Sequence, residues 1–387
     1  MKARKIKLMR NYGDFKLFRE KYAGISSLSA VSFTETELGI EVLLEEKIDT
    51  VSKQLTLKID NYKKVDVSND TVALIVGSLI QDKYSTVYFN FDVSPETLAE
   101  IKDICGTSTE IHAISTNSAL SIRSGTSTAI QYSGGFDSTL LRVLYPEAHV
   151  FHLEYDEEPS QLPEELSNGV KIIHTNHDEF LFKSSVKGSR NVGVHLNADD
   201  LNIGYVLNGK ISTDGETSFR HIKNIPVRYN RMDILTPLAS MTKVGIIKAL
   251  MRESPEYYAA CKFDNSGSKA LLIEMMEIVD TGEIPLKIRN QLSCFENKFR
   301  IFYCIYFIKK MGMQNAKLFF SDIPVGIEML TDNRRLDFYE KCDIDMLSDM
   351  PQGWLTDFRN RLEAHGIEVY DEQDKIEFEE VLHYMGL

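Results

Sequence analysis

One stretch of the chain combines two adjacent glycines with hydroxyl and carboxylate side chains. Its residues are Ser133, Gly134, Gly135, Phe136, Asp137, Ser138 and Thr139. The apolar residues before it predict a strand, and the leucines after it predict a helix that Asp, Ser or Thr can cap. Glycines let the backbone approach a ligand, and the free N–H groups of a helix N-terminus attract anions. The stretch therefore predicts a phosphate or pyrophosphate site; a Gly-Gly turn capped by Asp137 is the simpler alternative.

This stretch resembles the SGGxDS loop of the PP-loop ATP pyrophosphatases, which include asparagine synthetase, GMP synthetase, tRNA-thiolating enzymes and 7-cyano-7-deazaguanine synthase. All five fixed positions of that loop are matched, by Ser133, Gly134, Gly135, Asp137 and Ser138. At average residue usage, five fixed positions agree by chance in about one window in 10⁶. The resemblance implies a doubly wound α/β fold with a parallel sheet, of the adenine nucleotide alpha hydrolase type. It also implies binding of ATP and Mg²⁺.

A second landmark lies in residues 236–250, where a Pro-Leu pair is followed by Lys243. It resembles the Pro-Leu and lysine found shortly before a helix in the 7-cyano-7-deazaguanine synthase branch. Ser240 is the predicted N-cap of a helix that begins near Met241, which places Lys243 in the first turn, within reach of a phosphate. A solvated helix lysine is the alternative, and the sequence leaves both open.

The resemblance also assigns roles to individual residues. Those expected to contact the nucleotide are Ser133, Gly134, Gly135, Phe136, Asp137, Ser138, Thr139, Leu153 and Tyr155, the last two beside the adenine. The expected catalytic residues are Asp137, Ser138 and Lys243. Asp137 would hold Mg²⁺ or orient the loop, because its charge makes it a poor phosphate ligand, and Asp214 is a second metal candidate. Lys243 or Arg220 would neutralise the charge on the leaving pyrophosphate.

The cysteines depart from the pattern of the deazaguanine branch, in which a zinc-binding cluster precedes a helix similar to residues 298–302. Only Cys294 stands in the corresponding stretch, and Cys261 lies far upstream. A structural zinc site needs about four N or S ligands, so we expect no zinc site. The five cysteines are scattered and form no CxxC motif, and buried thiols are the preferred interpretation. The missing cluster indicates a divergent relative and puts a deazapurine substrate in doubt.

Two other patterns do not predict function. Residues 204–210 spell GxxxxGK, but Ile211 stands where a Walker A loop needs Ser or Thr, and the predicted order is helix then strand. Four histidines form close pairs: His149, His152, His174 and His177. Because the first two would lie on opposite faces of a strand, packed or surface histidines are preferred over a metal pair.

The periodicity of the chain predicts four regions. Residues 1–106 alternate like β structure and predict an accessory α+β domain with a helix capped by Ser94, a candidate surface for a partner protein. Residues 107–126 are rich in Ser, Thr and Gly and are a predicted linker. Alternating strands and helices predict the ATP-binding α/β domain in residues 127–255. Residues 256–387 are predicted to be mainly helical.

Within the α/β domain, the later elements are predicted as a helix over residues 197–207 and a strand over residues 210–213. Ligands bind at the carboxyl ends of the strands in such sheets. This rule places the loop of residues 133–138, the end of the second strand near Tyr155, and Asp214 around one crevice.

The net charge of the chain is −13. This argues against broad, sequence-independent nucleic-acid binding, which requires a basic face. The N-terminus is basic but lacks the apolar segment of a signal peptide, and the longest apolar block is too short to span a bilayer. We therefore expect a cytoplasmic protein without membrane contact. No glutaminase domain is recognisable, so free ammonia or a partner would supply nitrogen.

The preferred hypothesis is an ATP-dependent adenylating ligase that forms AMP and pyrophosphate. It would activate a carboxylate or carbonyl oxygen of an unknown small-molecule or protein acceptor for amide, nitrile or conjugate formation, in a modification or anti-phage defence pathway. One alternative is a thiolation enzyme, which usually has a reactive cysteine near the loop. No cysteine stands between Cys105 and Cys261, which disfavours it. The other is a non-catalytic nucleotide-binding assembly protein, which the intact loop disfavours.

Overall fold

The computed structural model describes residues 26–48, 50–80, 84–106, 108–116, 125–155, 162–176, 191–209, 227–229, 232–263, 267–284 and 298–386; of residues 155, 227–229, 263, 267, 268, 298 and 299 it describes the backbone alone. The strands in these ranges are β1 (Ser26–Glu35), β2 (Gly39–Ile48), β3 (Val51–Asp60), β4 (Thr86–Phe89), β5 (Glu110–Ala113), β6 (Ser127–Tyr132), β7 (His149–Tyr155), β8 (Lys171–Thr175), β9 (Ile203–Asn208), β10 (Val227–Tyr229) and β11 (Met232–Leu235). They form one sheet in the order β10-β11-β9-β6-β7-β8-β3-β2-β1-β4-β5.

The sheet is parallel where the candidate site lies. β11, β9, β6, β7 and β8 pair in parallel, with β10 antiparallel beside β11. β1, β2 and β3 form an antiparallel meander, and β3 joins β8 through Ile59 opposite Thr175 and Asp60 opposite His174. The α/β class is confirmed, but the sheet is mixed because this meander belongs to it. The division into domains stays a prediction.

Helices flank the sheet. They are α1 (Asn69–Ile80), α2 (Pro95–Cys105), α3 (Phe136–Leu144), α4 (Glu164–Ser167), α5 (Val192–Asn197), α6 (Lys243–Glu253), α7 (Pro255–Ala260), α8 (Gly267–Thr281), α9 (Lys298–Met311), α10 (Met313–Phe319), α11 (Ile327–Asp332), α12 (Gln352–Ala364) and α13 (Glu372–Tyr384). Short 3₁₀ turns separate several of them: Pro237–Ser240, Cys261–Phe263, Asp337–Glu340 and Ile344–Leu347.

Alternation along the central strands assigns neighbouring side chains to opposite faces. Ala129 on β6 belongs to a core shared with the N-terminal strands, α1, α2 and α5. Ile130 belongs to a second core, shared with α3, α6, α8, α9 and the C-terminal helices. Phe151 and Val150 on β7 divide in the same way. Because both faces are covered, apolar side chains on both faces of these strands are buried, and the polar side chains of Gln131 and His152 are buried among them.

One predicted helix is wrong. Residues 197–207 were expected to be helical, but α5 ends at Asn197 and β9 occupies Ile203–Asn208. Asn202, in the left-handed region with φ +52°, turns the chain back between them. A short apolar run that is buried on both faces lacks a diagnostic period, so the sequence alone does not separate strand from helix here. The predicted strand over residues 210–213 lies outside the described residues.

Other expectations agree with the structure. Ser94 caps α2, its Oγ accepting a hydrogen bond from Thr97 N at 3.2 Å. The described part of the C-terminal region is mainly helical, although Leu336, with φ +59°, leads into a short 3₁₀ turn. Among the described helices, none has the length and apolarity needed to cross a bilayer.

A buried pair of amide side chains lies where the N-terminal strands meet the central sheet. The side chains of Asn61 and Asn197 exchange two hydrogen bonds of 3.1 Å, and Asn197 Nδ2 also donates to Gly193 O at 2.8 Å. We expect Asn197→Ala to lower the free energy of unfolding by about 1–3 kcal/mol, because Asn61 loses a buried partner. Urea denaturation followed by circular dichroism measures this change.

The matched control is Asn333→Ala, which removes an exposed amide that donates only to Met329 O. Its effect should stay within about 0.5 kcal/mol. If both variants unfold at the same urea concentration, the amide pair does not stabilise the junction.

Candidate functional site

The loop after β6 makes a turn that suits glycine. Tyr132 ends the strand, Gly134 lies in the left-handed region with φ +72°, and Gly135 is the N-cap of α3. A side chain at Gly134 would be strained in that conformation. The predicted order of strand, glycine turn and helix is therefore confirmed.

Two serines hold the turn closed. Ser138 Oγ accepts a hydrogen bond from Ser133 N at 3.2 Å and donates to Gly135 O at 3.2 Å, and it lies 3.1 Å from Ser133 Oγ. Ser133 Oγ also accepts from Gly135 N at 3.4 Å. In this structure both hydroxyls bond to the loop itself, so their predicted contact with phosphate stays a prediction.

The N-terminus of α3 has no side-chain cap. Gly135 at the N-cap position offers no side chain to the first helical N–H groups. The carboxylate of Asp137 bonds to Lys243 instead, so the simpler alternative of a turn capped by Asp137 is wrong. A helix end with uncapped N–H groups carries a partial positive charge, which attracts an anion.

Lys243 and Asp137 form an ion pair beside this helix end. Nζ of Lys243 lies 2.6 Å from both carboxylate oxygens, and the two side chains are only 14% and 19% exposed. Lys243 lies in the first turn of α6, as predicted, and is not a solvated helix lysine. The cap of α6 is Thr242 rather than the predicted Ser240, which lies in the preceding 3₁₀ turn. Whether Lys243 contacts a phosphate stays a prediction.

A buried hydrogen-bonded group lies behind the loop. Tyr132 OH lies 3.2 Å from Thr139 Oγ1, to which Cys261 Sγ donates, also at 3.2 Å. Burial raises the pKa of the Cys261 thiol to about 11, against the opposing effects of Thr139 and of two lysine charges, Lys269 and Lys243. The fold thus brings next to the loop a cysteine that is far from it in sequence, as a thiol of low reactivity. Cys105, Cys304 and Cys342 are likewise buried thiols outside any disulfide.

Gly209 is a site residue that the sequence analysis did not identify. A Cβ on Gly209 would lie 2.9 Å from Ser138 N and 3.0 Å from Asp137 Cβ. The chain after β9 therefore packs against the first turn of α3 where only a hydrogen atom fits. Gly204 lies within β9, so the GxxxxGK pattern is mostly a strand and not a Walker A loop. The predicted order of helix then strand across residues 204–210 is wrong, but the prediction that this pattern is not a Walker A loop agrees with the strand.

His152 fixes the end of β6 from the neighbouring strand. Its Nδ1 lies 2.9 Å from Tyr132 O; because a carbonyl oxygen only accepts, Nδ1 carries the proton and donates. The carboxylate of Glu154 lies between two histidines, 3.9 Å from His152 Nε2 and 3.4 Å from His174 Nδ1.

His149 lies in a different environment. Burial, and then the charges of nearby lysines, lower its pKa. The described part of the chain holds no group of three or more His, Cys, Asp or Glu side chains arranged for a metal.

Several other predicted site residues are described only in part or not at all. The side chain of Leu153 packs in the core on the face opposite α3. Of Tyr155, only the backbone at the end of β7 is described. Five residues named in the sequence analysis lie outside the described ranges: His177, Ile211, Asp214, Arg220 and Cys294. The adenine contact and the second metal ligand therefore stay predictions.

Comparison with known proteins does not assign a family. The chain matches no protein-family model, no curated protein and no solved structure. The resemblance to the PP-loop enzymes thus depends on the two sequence motifs.

Gly209→Ala tests the close approach behind the loop. We expect it to lower the free energy of unfolding by about 1–3 kcal/mol, because the added methyl group would overlap the backbone of α3. Urea denaturation gives the stability, and amide hydrogen exchange shows whether residues 133–140 lose protection. The control, Gly353→Ala, adds a methyl group in α12 where no heavy atom lies within 4 Å. It should leave stability unchanged or raise it by up to about 1 kcal/mol; equal effects of the two variants would contradict the predicted contact.

The raised pKa of Cys261 predicts slow alkylation of the folded protein. The thiolate is the reactive form, so iodoacetamide at pH 7.5 should modify Cys261 far more slowly than a cysteine with an ordinary pKa of about 8.5. The rate should keep rising with pH toward about 11. Peptide mapping by mass spectrometry measures the labelling, with the urea-unfolded chain as the fully reactive control. Rapid stoichiometric labelling of folded Cys261 at pH 7.5 would show that the thiol is activated.

Proposed function

We propose that the chain is an ATP-dependent adenylating ligase of the PP-loop type, related to 7-cyano-7-deazaguanine synthase. The observation that carries this proposal is the Asp137–Lys243 pair at the N-terminus of α3, which has no side-chain cap. The pair joins segments 106 residues apart and brings together a carboxylate, a cation and helix N–H groups. Proteins commonly bind nucleoside triphosphates with such groups: helix N–H groups and cations contact the phosphates, and a carboxylate holds the metal ion.

Adenylation needs positioning and charge neutralisation more than covalent participation by the protein. A carboxylate or carbonyl oxygen of the acceptor attacks the α-phosphorus of ATP. The bond from that phosphorus to the oxygen bridging to the β-phosphate breaks, and pyrophosphate leaves with the electron pair. A second nucleophile then displaces AMP from the activated acceptor. The N–H groups that begin α3 would hold the phosphates, and Lys243 would offset charge on the leaving group.

Asp137 fits Mg²⁺, which proteins usually bind through one or two carboxylates together with substrate phosphates. A bound Mg²⁺ would offset phosphate charge beside the loop. Asp137 also holds the Lys243 ammonium in position. Loss of the carboxylate would therefore remove the candidate metal ligand and release the lysine at the same time.

The thiolation alternative gains a cysteine near the loop but not a reactive one. Cys261 lies 3.2 Å from Thr139, yet a pKa of about 11 leaves very little thiolate at neutral pH. Amide, nitrile or conjugate formation is therefore preferred. The acceptor is an unknown small molecule or protein, and the net charge of −13 does not favour nucleic acid. A non-catalytic nucleotide-binding assembly protein is the alternative of a different class.

The reaction class can be tested with α-³²P-labelled ATP. The full chain is incubated with ATP and Mg²⁺, with and without cell extract, and AMP is separated from ADP. We expect AMP to form. We expect Asp137→Asn to reduce its formation by at least about 100-fold, because the candidate Mg²⁺ ligand and the anchor of the Lys243 ammonium are both lost, and these two cations stabilise the phosphate charge. The matched control is Lys248→Ala, which breaks another ion pair of α6, Lys248 with Glu340 at 2.5 Å, and should retain activity.

Each other outcome excludes part of the proposal. ATP binding without AMP in any extract would favour the non-catalytic binding protein. ADP as the product would place the cleavage at a different bond and argue against the PP-loop assignment. AMP formation that is equally fast in Asp137→Asn would remove this site from the reaction.

A further inference from the structure

Two lysines lie near one aromatic ring at the amino ends of β7 and β8. Nζ of Lys63 and Nζ of Lys171 are each 5.7 Å from the centroid of the Tyr62 ring. Nζ of Lys171 is also 5.6 Å from the centroid of the Phe151 ring. Aromatic faces attract ammonium groups, but a neutral ring does not cancel their charge. Two positive charges are therefore held beside the same ring.

The strand pairing explains why these side chains meet. β3 runs antiparallel to β8, and its last residue, Asp60, pairs with His174. The chain beyond Asp60 continues to Lys63 toward the amino end of β8, where Lys171 is the first residue. Because β7 and β8 are parallel, His149 at the start of β7 lies at the same edge of the sheet. Three basic side chains thus gather at this edge.

These basic groups act on one another. Burial lowers the pKa of Lys171, and the positive charge of Lys63 lowers it further. Burial also lowers the pKa of His149, and the charges of Lys171 and Lys63 add to that effect. A positive neighbour disfavours the protonated form of a basic group, so both shifts report a positive local potential. Groups perturbed in this way are found preferentially at binding and catalytic sites.

An exposed carboxylate offsets this potential only in part. Asp200 lies 3.2 Å from Nζ of Lys63, and the two side chains are 44% and 35% exposed. Water and salt screen an ion pair that is this exposed. The pKa of Lys171 is lowered in spite of this carboxylate. The potential at Lys171 is therefore positive, although the whole chain carries a net charge of −13.

We propose that Lys63, Lys171 and His149 form an anion site that binds a phosphate group, either free or as the monoester of a small molecule. Lysine ammonium groups bind phosphate as point charges, whereas the planar fork of arginine suits a carboxylate. A phosphate held between the two ammonium groups offsets their mutual repulsion, and a neutral imidazole donates one hydrogen bond to it. Tyr62 is 39% exposed, so solvent reaches this edge.

This anion site lies at the opposite end of the central strands from the candidate ATP site. The loop of residues 133–139 follows the carboxyl end of β6, which is parallel to β7. β7 runs from His149 at one edge of the sheet to Tyr155 at the other. At about 3.3 Å per residue, the two edges are about 20 Å apart. Phosphate binding here is therefore independent of ATP binding at the loop.

Competitive acetylation measures phosphate binding at each lysine separately. The folded full chain is treated with isotope-labelled acetic anhydride at constant pH, with and without inorganic phosphate, and peptide mapping gives the acetylation rate of each lysine. Bound phosphate raises the pKa of a lysine and so leaves less of the reactive free amine. With a Kd of about 1 mM, about 10 mM phosphate should slow acetylation of Lys63 and Lys171 about tenfold. Sodium chloride at equal ionic strength controls for screening, and phenyl phosphate represents an organic monoester.

Two variants test whether the lysines share one phosphate. We expect Lys63→Gln to remove most of the protection of Lys171, and Lys171→Gln to remove that of Lys63. Without phosphate, Lys63→Gln should also slow acetylation of Lys171, because loss of the neighbouring charge raises the pKa of Lys171. The matched control is Lys64→Gln, which removes the same charge from the next, exposed position and should preserve the protection.

The outcomes distinguish a phosphate site from a basic patch. Protection by both phosphate and phenyl phosphate supports a site for monoesters, and protection by phosphate alone supports a site for the free ion. Equal protection by sodium chloride would show screening only and overturn the proposal. Absence of protection by either phosphate compound would overturn it as well. Protection of Lys171 that survives Lys63→Gln, or that Lys64→Gln removes to the same extent, would show that the two lysines do not share a ligand and would also overturn it.

Discussion

The candidate site depends on one partly buried ion pair. Asp137 in α3 and Lys243 in α6 are brought to 2.6 Å from segments far apart in the sequence. When one partner of a fully buried pair is removed, the cost is about 3–5 kcal/mol, because the remaining charge is left uncompensated. The two side chains are partly exposed, which reduces that cost here. Each side chain still fixes the position of the other. The pair fixes α6 against the loop, and it makes the carboxylate both a structural group and the candidate ligand of a metal ion.

The loop is supported on several sides, as a preorganised anion site requires. Gly209 allows the chain after β9 to contact the first turn of α3. Thr139 bonds to groups from β6 and from the 3₁₀ turn at Cys261, and His152 holds the end of β6. Donors that are already in place stabilise developing charge without reorganisation during the reaction. The arrangement is therefore compatible with the proposed neutralisation of phosphate charge, and the buried Cys261 thiol packs behind the loop.

The described N-terminal strands belong to the same sheet as the central strands. Their meander continues the central sheet through β3 and β8, and their core includes Ala129 from β6. The Asn61–Asn197 amide pair adds a specific polar contact at this junction. A change in the N-terminal strands would therefore act on the sheet that carries the loop. The prediction that this region also binds a partner stays open to experiment.

Local pattern alone determined the central element of this protein. Adjacent glycines between an apolar run and a leucine-rich segment predicted the turn and the helix, because few residues adopt the left-handed backbone that Gly134 requires. The same reasoning placed Lys243 at a helix start and Ser94 at a cap. It failed at β9, where an apolar run buried on both faces has no period that distinguishes strand from helix. Only the tertiary structure decided that Asp137 meets Lys243, that Cys261 and Lys269 lie at the loop, and that Gly209 packs behind it. These contacts join residues far apart in sequence, and local propensity carries no information about which distant segments pack together.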